Sequence, residues 1–129
     1  MTPEITALTL AALLQVAQLC LYAAAGQVAV GTRTALKPRD EFVHLPGKAG
    51  RIQRAMENHF EGLILFAIAC LVITLSDQSN PLTQTCAYAY LAARILYVPA
   101  YVFGWVPWRS LIWAVGFLAT TIMLLSALL

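Results

Sequence analysis

Four long apolar runs dominate the sequence and limit what it can fold into. They extend from about Ile5 to Val30, Ile52 to Leu75, Pro81 to Phe103 and Pro107 to Leu128. Each approaches or exceeds the ~20 residues that carry a helix across ~30 Å of hydrocarbon. None alternates with a period of two, and an open sheet cannot satisfy its backbone groups in lipid. The chain is 60% hydrophobic and 11% charged. Soluble domains hold about 45–50% apolar and about 25% charged residues, so a water-soluble core of this length cannot enclose the apolar side chains present. The sequence predicts an all-α integral membrane protein, a four-transmembrane-helix bundle forming one domain over residues 1–129. No basic segment precedes the first run, which is expected to be a retained span and not a signal peptide.

Charge is distributed unevenly. Of the eight basic residues, Arg33, Lys37, Arg39, Lys48, Arg51 and Arg54 fall within one segment. The first connection, 31–50, is long and basic and includes KPRDE and LPGKAG. The second, SDQSN, is short, and the third is the tight Gly104-Trp105-Val106-Pro107. Basic loops stay on the cytoplasmic side. That places loop 31–50 and the third turn in the cytoplasm, and the middle loop and both termini on the opposite side. Trp105, Trp108 and Trp113 suit an interfacial belt. A nucleic-acid partner is not expected, because the basic segment is flanked by spans and has no interleaved aromatics. Cys20, Cys70 and Cys86 are odd in number and fit no metal-ligand spacing, so they read as small apolar fillers and no metal site is expected. Asp40 and His44 read as solvated loop residues.

RAMENHFEG, residues 54–62, carries charge into the second span. On a helix starting near Arg51, the residues Arg51, Arg54, Asn58 and Glu61 share one stripe, Glu57 borders it, and His59 points away toward a neighbouring helix or headgroups. Glu61 lies ~15 Å into the span at 1.5 Å per residue. An unpaired carboxylate at that depth costs several kcal/mol. Arg94 lies at matching depth in the third span, and an ion pair between Glu61 and Arg94 is expected inside the bundle. Arg94 shares a helix face with Tyr90, Tyr97 and Tyr101. Pro99 interrupts that helix's hydrogen bonding and is expected to kink it. Arg109 and Ser110 open the fourth helix, at a positive N-terminus. For Arg51 alone, snorkelling to the interface is the simpler account. The whole set exceeds what one structural ion pair requires, and intramembrane ionisable residues point to function. The chemistry suggested is binding of a flexible anion. Arginines would hold carboxylates, Asn58 and Glu61 would hold amide and ammonium groups, and Arg109, Ser110 or a tyrosine hydroxyl would stabilise a developing anion.

Arg54-Ala55, Asn58 and Glu61 resemble the RA-x-x-N-x-x-E signature of the MAPEG family (membrane-associated proteins in eicosanoid and glutathione metabolism). The resemblance covers nearly the whole chain. It includes four spans with a long basic first loop, the segment from Arg94 to Tyr101, Arg109-Ser110, Gly26-Gln27-Val28 and Asp40. It implies a homotrimer of four-helix protomers in contact with membrane lipids, with glutathione as co-substrate bound between protomers near the cytoplasmic side. By resemblance, Arg54, Asn58 and Glu61 contact glutathione, as do Arg94, Tyr97 and Arg51 in the wider set. Arg109 matches the favoured thiolate stabiliser, with Ser110 and Tyr101 beside it. A hydrophobic small-molecule substrate would reach the sulfur from the bilayer.

The implied function is that of a membrane-bound glutathione-dependent transferase or peroxidase. It would activate the glutathione thiolate for attack on a hydrophobic electrophile or lipid hydroperoxide. The alternative is a non-catalytic lipid-binding or scaffold protein of the same fold. Two departures favour it: Ala29 stands where some members carry arginine, and Glu57 adds a carboxylate beside the anion site. Trp113 replaces a tyrosine found in some members, and Tyr97 a histidine found in one branch. A small four-helix exporter is a weaker reading, because its first helix would need an embedded carboxylate. Here that span offers Gln15, Gln18 and Gln27, with Glu4 only at its edge.

Overall fold

The computed structural model describes residues 1–31, 45 and 47–129. Four helices account for almost all of them: α1 (Pro3–Val30), α2 (Gly47–Leu75), α3 (Pro81–Val102) and α4 (Trp108–Leu128). The four expected helices are thus present. The largest boundary difference is at α2, which begins at Gly47 and not near Ile52. The polar lead-in GKAGR is already helical, so Arg51 and Arg54 stand on a formed helix instead of at its first residue. Arg33, Lys37, Arg39, Asp40 and His44 lie outside the described residues.

Local chemistry sets the helix ends. Thr2 caps α1 by accepting from the Ile5 N–H, with Pro3 in the first turn, where its missing donor costs nothing. Asn80 and Thr83 form a reciprocal capping box at the start of α3, satisfying two orphan donors. The two tight turns share one closure. After α2, Gln78 N–H bonds to Ile73 O and Asp77 N–H to Thr74 O, with Asp77 at φ 56°. After α3, Trp105 N–H bonds to Ala100 O and Gly104 N–H to Tyr101 O, with Gly104 at φ 70°. This is the 6→1 and 5→2 pattern that ends a helix through one left-handed residue. At Gly104 it is the left-handed backbone that favours glycine, since a Cβ there would make only an ordinary contact, 3.4 Å, with the Arg51 guanidinium. Pro99 lies inside α3, which remains helical through it to Val102.

Helices α3 and α4 share the most extensive interface, and α3 also packs on α1 and α2. The core is built largely of small residues, among them Ala7, Ala11, Ala69, Cys70, Cys86, Ala87 and Ala119, around Phe66, Ile73, Tyr90 and Met123. Small side chains let helix backbones approach closely, which replaces the hydrophobic drive that lipid removes. Cys70 and Cys86 are core fillers as expected, whereas Cys20 faces outward. Leu13, Val16, Leu19, Ile64, Ile68, Leu71, Leu118 and Leu125 also point outward. Such a surface belongs in lipid or against other helices. Helices α1, α2 and α4 are long and apolar enough to cross a membrane. Helix α3 is less apolar because it carries Thr83, Tyr90, Arg94 and Tyr97, and all four are buried inside the bundle.

The two ends of the bundle differ. At the end formed by the α1 start and the α2–α3 turn, Glu4, in the first turn of its span, is fully buried. Its carboxylate accepts from Ser79 Oγ at 2.9 and 3.0 Å and from Thr83 Oγ1 at 2.7 Å. The other end, where α2 begins and α3 turns into α4, gathers Arg51, Arg54 and Arg109.

Candidate functional site

The α2 stripe forms as its spacing predicts, but its members meet different partners. Arg51 Nη1 donates to Val102 O at 3.3 Å. It therefore holds a terminal carbonyl of α3, as cations near helix C-termini do. One turn deeper, Arg54 Nε donates to the Tyr101 hydroxyl at 3.1 Å. The Arg109 guanidinium lies over the same Tyr101 ring, 5.0 Å from its centroid. One tyrosine of α3 thus gathers a cation from α2 and a cation from α4. Both arginines sit within reach of the favourable face of an aromatic quadrupole.

The Tyr101 ring is 5.7 Å from that of Tyr97, and the Arg94 guanidinium lies 4.4 Å from the Tyr97 centroid. Below it, Arg94 Nη1 donates to Asn58 Oδ1 at 3.0 Å and Arg94 Nε to His59 Nδ1 at 3.2 Å. This corrects the expected ion pair. Among the described residues no carboxylate lies within 4.0 Å of Arg94. Glu61 is exposed on the protomer surface instead. Arg94 enters between Asn58 and His59, nearly one turn before Glu61 and on another side of α2.

The bond to Arg94 also alters the role open to Asn58. Arginine has donors only, so the Asn58 amide must turn its oxygen to Arg94. Its NH₂ is left for a ligand and would meet a carboxylate or carbonyl, not an ammonium. Glu61, exposed and negative, remains the group suited to an ammonium.

At the start of α4, Arg109 N–H bonds to Trp105 O and Ser110 N–H to Pro107 O. The helix N-terminus is where the sequence placed it, yet these two backbone donors are already engaged. Any anion there must be held mainly by the Arg109 side chain. Ser110 is exposed, and its hydroxyl makes no hydrogen bond among the described residues. Glu57 is exposed as well and forms no ion pair within 4.0 Å of Arg51 or Arg54.

A cavity of about 240 Å³ opens between α2, α3 and α4, directly below the arginine–tyrosine group. Asn58, Glu61, Arg94 and Tyr90 line its polar end, and Leu65, Phe117 and Leu124 its apolar end. Two polar atoms beside it have no hydrogen-bond partner among the described residues: Arg94 Nη2 and the Tyr90 hydroxyl. Both side chains are almost wholly buried, at 3% and 2% exposure. Buried donors of this kind are costly unless something satisfies them. Tyr90 is fixed by stacking on Phe66, with centroids 3.9 Å apart. Gly62 leaves room for its hydroxyl, since a Cβ there would stand 3.2 Å away.

Sequence reasoning missed two residues. Tyr90 was seen on the right helix face but not as a lining residue. His59 meets a neighbouring helix as expected, with its Nε2 3.0 Å from Ala11 O of α1, but its bond to Arg94 was not foreseen. Its signal was available, because a histidine beside Asn58 in a span must satisfy two ring nitrogens. Among the described residues no cluster of His, Cys, Asp and Glu could hold a metal ion.

A family model described as "MAPEG family" matches residues 6–129. The chain therefore belongs to the MAPEG family. No curated protein sequence matches it.

Proposed function

We propose that this MAPEG-family membrane protein binds glutathione at the Arg54–Tyr101–Arg109 end of the bundle and activates its thiol. The observation that carries the reading is the shared grip of Arg54 and Arg109 on Tyr101. Two guanidinium groups from different helices meet there, and neither has a carboxylate partner within 4.0 Å among the described residues. Such a site suits an anion. Arg109 is the group beside which a thiolate would form, with Tyr101 and Ser110 as neighbouring hydroxyl donors. Arg54, Asn58, Arg94 and Tyr97 would hold the carboxylate and carbonyl groups of the tripeptide, Glu61 its ammonium, and Arg51 the rim.

A free thiol has a pKa near ~8.5 and is mostly protonated at neutral pH. A guanidinium beside the sulfur favours the charged form and raises the reactive fraction. The thiolate would then attack a hydrophobic electrophile or reduce a lipid hydroperoxide. The cavity between α2, α3 and α4 would admit that second molecule, its apolar end open to Leu65 and Leu124. The functional unit is a homotrimer in the membrane. The exposed apolar faces of α1, α2 and α4 support this, as does the family's generally trimeric assembly. The basic connection 31–50 would lie in the cytoplasm with both termini opposite.

The mostly apolar cavity also favours a second reading, a lipid-binding protein without catalysis. Glutathione titration of the detergent-purified protein, followed by thiolate difference absorbance at neutral pH, separates the two. A saturable signal lost in Arg109→Ala supports the enzyme. The absence of both signal and binding heat overturns it.

A further inference from the structure

His59 sits at the centre of a hydrogen-bond chain whose direction can be derived. Arg94 Nε is a donor in every state, so His59 Nδ1, 3.2 Å away, must accept. Ala11 O is an acceptor, so His59 Nε2, at 3.0 Å, must donate. The imidazole is therefore neutral with its proton on Nε2. The chain continues from Arg94 Nη1 to Asn58 Oδ1 at 3.0 Å, which turns the Asn58 NH₂ outward. Arg94 thus donates to both neighbours, and His59 passes the chain on to the backbone of α1.

This arrangement leaves two groups facing the cavity, the Asn58 NH₂ and Arg94 Nη2, and both donate. Arg94 Nη2 has no partner among the described residues and lines the cavity with Asn58 and Tyr90. The arginine is held on three sides, by Asn58, by His59 and by the Tyr97 ring at 4.4 Å. His59 is fully buried and does not line the cavity. It acts only through Arg94.

We infer that His59 is a positioning residue, which orients Arg94 and through it Asn58 so that two donors face an anionic or carbonyl group of the bound ligand. The inference rests on the proposed glutathione site. It adds a residue that touches no ligand, and it makes Asn58 and Arg94 donors toward the cavity they share with the Tyr90 hydroxyl and the Glu61 carboxylate.

Two near-isosteric substitutions divide the histidine's contacts. In His59→Asn the amide oxygen stands where Nδ1 was and still accepts from Arg94, while the tie to Ala11 is lost. In His59→Gln the amide NH₂ stands where Nε2 was and still reaches Ala11, while the acceptor for Arg94 is lost. A side chain needed only to join α1 to α2 favours Gln over Asn; a positioning residue favours Asn over Gln. Both variants and the wild type are titrated with glutathione in detergent, with helicity and thermal midpoint measured alongside. Binding by His59→Asn is expected within about twofold of wild type, and His59→Gln is expected to be weaker by about tenfold. Should His59→Gln fail to fold, Arg94→Lys provides the second test. A lysine cannot reach His59 and Asn58 together, so the loss of affinity caused by His59→Ala in the wild type is expected to vanish in the Arg94→Lys background, and a loss of the same size in both backgrounds overturns the inference. Nitrogen resonances of histidine-labelled protein, assigned with a His44→Gln variant, are expected to show His59 protonated at Nε2 alone.

Equal affinity in the Asn and Gln variants, tighter binding by Gln than Asn, or a proton on Nδ1 overturns the inference while leaving the glutathione site standing. Absence of glutathione binding in the wild type overturns the glutathione site, and this inference with it.

Discussion

Arg94 Nη1 donates to Asn58 Oδ1 across 3.0 Å, and this neutral-acceptor bond, not an ion pair, joins α3 to the polar face of α2. The arginine keeps its charge inside the bundle with two neutral acceptors and a tyrosine face around it. Glu61 is thereby left with no structural duty among the described residues.

The contrast between the two residues is measurable. Glu61→Gln should change the thermal midpoint in detergent little, within about 0.5 kcal/mol of stability, as surface substitutions do. It should weaken glutathione by about tenfold if Glu61 takes the ammonium. Arg94→Leu should do both kinds of damage. It leaves His59 Nδ1 and Asn58 Oδ1 without their donor, at about 1–3 kcal/mol for each buried group. A large loss of stability in Glu61→Gln would restore the ion pair and refute this account.

Arg109 is expected to act on the sulfur. Removing a cation beside a thiolate raises the thiol's pKa toward its free value near ~8.5. Thiolate present at neutral pH in the wild type is then lost in Arg109→Ala and regained only at higher pH. The rate at pH 7 should fall by up to about tenfold for every pH unit by which the thiol's pKa rises, and the alkaline rise of kcat/KM should move up in pH. Arg109→Lys retains charge but not the flat guanidinium over the Tyr101 ring, so partial recovery is expected. An unchanged pH profile in Arg109→Ala would remove Arg109 from the chemistry.

The opposite end of the bundle provides a control. Glu4 accepts from Ser79 and Thr83 in a fully buried setting. Thr83→Val removes the 2.7 Å bond to that carboxylate. Hydrogen bonds to charged groups contribute about 1.5–3 kcal/mol, so a clear fall in thermal midpoint is expected with glutathione affinity unaltered. Loss of binding at matched folding would mean that the two ends are coupled.

The sequence displayed the helices because lipid leaves few alternatives: runs as long as Pro107 to Leu128 have one spanning form. It also displayed the faces, since Arg54, Asn58 and Glu61 depend only on the helical repeat. What it could not display was the rotation of one helix about its axis relative to the next. Approximate depth matched Glu61 to Arg94, while the actual rotation and stagger of α3 against α2 delivered Arg94 to Asn58 and His59. The same blindness hid His59, which the wheel of α2 turns away from the polar stripe because that wheel contains no α1. The edge position of Glu4 was legible, but its burial against Ser79 and Thr83 was not, because that depends on how the turn from Ser76 to Asn80 folds over it. The start of α2 was placed late because a polar helical turn resembles a loop by composition.

The cavity below the arginines offers the last test, because the two readings of the protein make different demands on it. Leu65 lines it from α2 and remains half exposed, so a larger side chain there can enter the cavity without displacing a core residue. The space is about 240 Å³, enough to be partly filled by an indole. In an enzyme, Leu65→Trp should raise KM for a hydrophobic electrophile several-fold with a smaller loss of glutathione affinity, since Asn58, Glu61 and Arg94 share the cavity with Leu65 while Arg54, Tyr101 and Arg109 do not line it. Leu65→Ala should act in the opposite sense for bulky substrates, at roughly the 1–3 kcal/mol that pocket-filling changes carry. In a lipid-binding protein without catalysis, neither variant touches a rate, and Leu65→Trp instead reduces the lipid that copurifies. Competition kinetics and lipid extraction on the same preparations distinguish the two outcomes. Glutathione affinity that falls as far as that of the electrophile in Leu65→Trp would place the bulk of the tripeptide in the cavity, on Asn58, Glu61 and Arg94, and not beside Tyr101.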